Sequence, residues 1–119
     1  KITETRNKYA LKLAKDVKNE LNDLYLLDAE FVVNFVTVDL NKNGNDDVEF
    51  YMSANKGVPV RPLIKVASGG EVSRIMLGLN AVFSKLSMVD TIIFDEIDTG
   101  VSGKVASSMG KKMEKIYML

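Results

Sequence analysis

Apolar residues follow three different rhythms along this chain. Over residues 1–26 they recur at spacings of three and four, at Ala10, Leu13, Val17, Leu21 and Leu24, with Lys8, Lys12, Lys15, Lys18 and Glu20 between them. That spacing predicts one amphipathic helix. The stripe reaches the N-terminus without a capping residue, so it suits a surface helix or the end of a longer coiled coil. Residues 29–38 and 47–54 predict strands. The first is β-branched and aromatic; in the second, Val48, Phe50 and Met52 alternate with Glu49, Tyr51 and Ser53. Turn chemistry from Asn41 to Asp47 joins them into a hairpin with one solvated face. A loop over 55–70 carries Gly57, Pro59, Pro62, Gly69 and Gly70. From Glu71 the helical spacing returns, with Val72, Ile75, Met76, Leu79, Val82 and Phe83 on one predicted face. Thr91-Ile92-Ile93-Phe94 is wholly apolar, as in a strand buried on both faces of a parallel sheet. An acidic turn from Asp95 to Gly103 leads to a last amphipathic helix with Val105, Met109, Met113 and Ile116. The fold class is therefore α/β.

Composition narrows the chemistry. The 119 residues are 46% hydrophobic and 27% charged, which suits a folded globular chain and excludes a low-complexity linker. Sixteen basic residues balance sixteen acidic ones, which disfavours a basic DNA-coating module. With no cysteine and no histidine, disulfides, thiolate metal sites, histidine bases and Ser-His-Asp triads are all excluded. No apolar run approaches the roughly 20 residues of a membrane helix, and no signal-peptide pattern opens the chain. The start at Lys1 and the stop inside a helical pattern lead us to expect an excised part of a longer protein.

One motif is a decoy. Asp39-Leu40-Asn41-Lys42-Asn43-Gly44 matches the opening of an EF-hand calcium loop. The match then fails. Glu49 comes one position early, Phe50 occupies the place of the bidentate carboxylate, and the flanks read as strands. A hairpin turn is the better reading, because Asn and Gly tolerate positive φ.

Two other motifs carry chemistry together. Ser68-Gly69-Gly70-Glu71 opens a predicted helix. Its glycines permit close backbone approach, its unpaired N–H groups and dipole favour an anion, and Ser68 adds a donor. Alone, this is also an ordinary helix cap. Further on, Thr91-Ile92-Ile93-Phe94 delivers Asp95 and Glu96 to a strand's C-terminal end, the edge where parallel sheets bind ligands. One carboxylate there can serve a hydrated Mg²⁺ while the next acts on a water. Asp90, Asp95, Glu96 and Asp98 form an acidic cluster with no basic residue among them.

In this order, with one helix between, the pair resembles the C-terminal part of an ABC-type ATPase head, with its Ser-Gly-Gly signature motif and its Walker B run ending Asp-Glu. Within that superfamily the chain resembles the RecN family of bacterial SMC-like DNA repair proteins. The resemblance is carried by Ser53-Ala54-Asn55-Lys56-Gly57, by Lys65-Val66-Ala67-Ser68-Gly69-Gly70-Glu71-Val72-Ser73-Arg74-Ile75-Met76-Leu77, and by Ile93-Phe94-Asp95-Glu96-Ile97-Asp98-Thr99-Gly100-Val101-Ser102-Gly103. It extends roughly from Leu24 onward. It implies that residues 1–26 are the end of a coiled-coil arm and 27–119 an incomplete C-terminal part of the head. Ser68, Gly69, Gly70 and Glu71 would meet ATP held by the opposing head. Asp95 would support Mg²⁺, Glu96 would be the catalytic carboxylate, and Asp98 would belong to the D-loop across the dimer. Arg74 is expected to be structural or interfacial. Glu71 stands where many ABC proteins carry Gln.

The same resemblance implies a homodimeric, cytoplasmic, nucleoid-associated ATPase of double-strand break repair and recombination, acting on DNA through the full-length protein. No phosphate-binding Gly-x-x-Gly-x-Gly-Lys-Ser/Thr loop is present, and the switch histidine is missing. The segment alone is therefore expected to bind no ATP or Mg²⁺, to hydrolyse nothing and to self-associate through exposed apolar surface. Other readings are the head of another SMC-like chromosome protein and a non-enzymatic scaffold module.

Overall fold

The computed structural model describes residues 2–66, 69–84, 91–95 and 97–118. Helix α1 (Ile2–Asp23) leads into a hairpin of β1 (Glu30–Asn41) and β2 (Gly44–Ser53). A two-residue strand, β3 (Arg61–Pro62), and a 3₁₀ turn (Leu63–Lys65) follow, then α2 (Gly69–Phe83) and α3 (Gly103–Tyr117). The sheet is antiparallel in the order β1-β2-β3.

α1 stops three residues short of the predicted end, and its sequence contains no glycine to mark the place. Tyr25 takes the left-handed conformation (φ 61°) that glycine usually supplies. The Leu26 amide donates to the Leu21 carbonyl at 3.0 Å, and the Tyr25 amide donates to the Asn22 carbonyl at 3.0 Å. These are the two bonds of a Schellman cap, and Leu21 and Leu26 make its apolar contact in the core. The Lys18 ammonium holds the reversed chain by donating to the carbonyls of Leu27 (2.6 Å) and Ala29 (2.5 Å).

The hairpin is tighter than its composition suggests. Asn41 pairs with Gly44, so only Lys42 and Asn43 turn the chain, and Gly44 has φ 100°. The register slips between Thr37 and Asn41, where β1 carries extra residues. Phe31, Val33 and Phe35 lie opposite Met52, Phe50 and Val48 on the inner face, while Val32, Val36 and Val38 face outward.

Two apolar clusters hold the elements. The first joins Val17 and Leu21 of α1 with Phe31, Met52, Ile75, Leu79 and Val82. The second joins Leu24, Leu77 and Met109, with Phe94, Ile97, Val101, Val105, Met113 and Ile116 packed around them. α2 therefore buries two faces. Ile75, Leu79 and Val82 occupy the predicted one, but Met76 is exposed and Leu77 fills the other, because α2 lies between α1 and α3. α1 and α2 touch closely at Gly78, where a Cβ would stand 3.0 Å from Leu21 Cδ2.

The expected doubly buried strand at 91–94 is absent. These residues are irregular, and Ile93 is 87% exposed. A strand buried on both faces needs neighbours in its sheet. The described residues supply only the antiparallel sheet, which does not include this run.

Candidate functional site

The described residues among those expected to carry chemistry lie in the first turn of α2 and in the acidic segment, and both α2 and that segment pack on the second apolar cluster. Gly69, Gly70 and Glu71 form the first turn of α2, at the positive end of its dipole. Glu71 is half-buried there, its carboxylate favourably placed near that dipole. Ser68 lies outside the described residues, as does Glu96.

The acidic segment gains its shape from alternation. Phe94, Ile97 and Val101 pack into the second cluster, against Leu24, Leu77 and Met109. Asp95 and Asp98, between these anchors, are exposed. A turn over residues 98–101 closes when the Val101 amide donates to the Asp98 carbonyl at 3.1 Å, and Gly100 takes φ 69° to permit it. The apolar residues thus press inward while the carboxylates point to water. The shared support reaches α2 at Leu77, in its second half, away from the Gly69–Glu71 turn.

Asp95 suits a hydrated Mg²⁺, which commonly takes one or two carboxylates and completes its shell with water and phosphate. Among the described residues no group of three or more Asp, Glu, His or Cys could hold a metal ion. Among the described residues no helix is long and apolar enough to cross a membrane.

Two ionic contacts escaped the sequence reading. Arg6 Nη1 donates to Asp46 Oδ2 at 2.9 Å, Arg6 Nη2 to the Asn43 carbonyl at 2.6 Å, and the Thr3 hydroxyl to Asp46 Oδ2 at 2.9 Å. The hydrogen bond from Arg6 holds the Asp46 carboxyl below its ordinary range, against the opposing effect of burial. On α3, Lys112 donates to Glu20 and, at 2.6 Å, to Asp23. Desolvation pulls the Lys112 pKa down, but the hydrogen bonds and charges of Asp23 and Glu20 together outweigh it and raise the pKa. Arg74, on α2, reaches the Leu24 carbonyl at 3.3 Å, a structural contact with the end of α1.

No family model matches the chain. A DNA repair protein RecN from Halalkalibacterium halodurans is 47% identical over 120 residues, covering 97% of this chain and 21% of the relative. That match runs through α1, the hairpin, the Ser-Gly-Gly turn and the acidic segment alike. The chain is a RecN-family segment. DNA repair proteins RecN from Bacillus subtilis (41% over 131 residues; 97% of this chain, 23% of the relative) and Treponema pallidum (52% over 73 residues; 61% and 13%) agree. This RecN-family segment spans about a fifth of the length of the curated relatives it matches.

Proposed function

We propose that this segment supplies the signature turn, the Mg²⁺ and catalytic carboxylates and the D-loop of a RecN-type ATPase head, in a full-length polypeptide that acts in DNA repair. The observation that carries the reading is the alternation of inward anchors, Phe94, Ile97 and Val101, with outward Asp95 and Asp98. A merely solvated acidic loop needs no such row of anchors. Here Asp95 and Asp98 each directly follow an apolar residue, Phe94 and Ile97, that packs into the second cluster.

Mg²⁺, when bound with ATP, would neutralise charge on the transferring phosphoryl group. Asp95 would hold it. Glu96, next in sequence, would accept a proton from the attacking water. The Gly69 and Gly70 backbone N–H groups, with the Ser68 hydroxyl, would donate to a phosphate presented by a second head, because α2 offers its positive dipole end there. Asp98 would meet that second head through the turn that Gly100 permits. The separation of the Gly69–Glu71 turn from the acidic segment's support suits two half-sites that each need a partner.

Ser68→Arg in the full-length polypeptide tests the two-headed site. A bulky side chain at the signature turn should leave ATP binding by a single head within about twofold and abolish ATP-dependent head dimerisation. Unchanged dimerisation, measured by light scattering with and without ATP, would count against the reading.

A further inference from the structure

Lys112 is 5% exposed, on the face of α3 that also presents Met109, Met113 and Ile116 to the core. Packing alone does not call for a lysine there. Replacing a buried ionic cluster with well-packed apolar residues is often neutral or stabilising. What the cluster supplies is direction. α1 ends with Glu20 and Asp23 in its last turn and a half, beside the negative end of its dipole, and its last turn has no basic residue. The ammonium that answers those carboxylates comes from α3, 89 and 92 residues away in sequence.

α3 starts at Gly103, two residues after the anchor Val101. Nine residues of helix, a rod of about 13.5 Å, separate that start from Lys112. At its other end the joint includes Leu24, which packs in the same cluster as Phe94, Ile97 and Val101 and whose carbonyl accepts from Arg74 of α2. The two carboxylates differ. Glu20 is buried, whereas the Asp23 side chain is 64% exposed. One carboxylate is thus shielded from water and the other is open to it.

We propose that Lys112 is a positioning residue: by clamping α3 to the end of α1 it fixes the turn 98–101, so that α1 and the Asp98 carboxylate move as one. The consequence for turnover rests on the ATPase reading above; the consequence for the turn's order does not.

The test uses the full-length polypeptide with Lys112→Arg and with the double variant Glu20→Gln/Lys112→Met, which leaves no unpaired buried charge. Hydrogen exchange at the Val101 amide, hydrogen-bonded to the Asp98 carbonyl, reports the turn directly. In the double variant that exchange should accelerate roughly tenfold or more while the unfolding temperature stays within a few degrees. Its kcat for ATP should fall roughly tenfold with KM within about twofold, and Lys112→Arg should retain both properties. Wild-type exchange at Val101 in the double variant overturns the proposal, whatever the turnover. Faster exchange with unchanged kcat overturns the link to the Asp98 carboxylate. If wild-type polypeptide hydrolyses no ATP, the ATPase reading fails, and the Val101 exchange alone decides on the clamp.

Discussion

At the scale of single residues, the polar contacts that shape this segment join positions far apart in the chain. Arg6 meets Asp46 across forty residues, and Lys112 meets Glu20 across ninety-two. No periodicity announces such pairs, because each partner alone reads as one more solvated charge. The Asp46 contact has a pH signature. Its carboxyl is lowered in the folded state by Arg6, from an ordinary value of 3.8. The stabilisation it contributes is present above that ordinary value and is lost as pH falls through the lowered one. Asp46→Asn should therefore lower the unfolding temperature at pH 7 and flatten its decline below about pH 4 relative to wild type. Thermal unfolding across pH 2 to 7 measures this, and parallel curves for the two proteins would contradict it.

At the scale of elements, the clearest case is the end of α1. The chain stops the helix with a tyrosine at positive φ, where the sequence offers no glycine. A left-handed conformation costs an ordinary residue about 1–2 kcal/mol, and a β-branched one more. Tyrosine already carries that cost, so Tyr25→Val should destabilise the segment by the β-branched excess alone, and Tyr25→Gly should be neutral to stabilising. Urea midpoints for the two variants check the order; equal midpoints would show that the cap carries no strain. The same place shows why the helix was legible and its boundary was not. The stripe from Leu13 to Leu24 is set by burial and reads directly, whereas the stop is set by the Leu26–Leu21 bond and the Lys18 contacts, which only the fold assembles. The hairpin, α2 and α3 were legible for the reason that α1 was. Two assignments went astray where context outweighed pattern. Met76 turned outward because Leu77 was needed on the face toward α3. Residues 91–94, apolar enough for a buried strand, are irregular because the one described sheet does not extend to them.

At the scale of the whole molecule, α1 is the common wall. α2 lies on it at Gly78, α3 is tied to it through Lys112, and the hairpin tip is tied to it through Arg6. Of the candidate site, the residue types and their order were legible, down to Asp95 and Asp98 at the surface. The support under them was not, because Phe94, Ile97 and Val101 become a row of anchors only when Leu24 from the turn after α1, Leu77 from α2 and Met109 from α3 meet. That arrangement leads to the central claim, that the acidic segment provides the hydrolytic carboxylate of an ATPase. The most direct measurement is single-turnover ATP hydrolysis, together with ATP binding, by full-length polypeptide carrying Glu96→Gln. Removing a positioned general base should slow hydrolysis by about 10²–10⁴-fold while ATP binding persists. Hydrolysis at the wild-type rate in that variant would contradict the account.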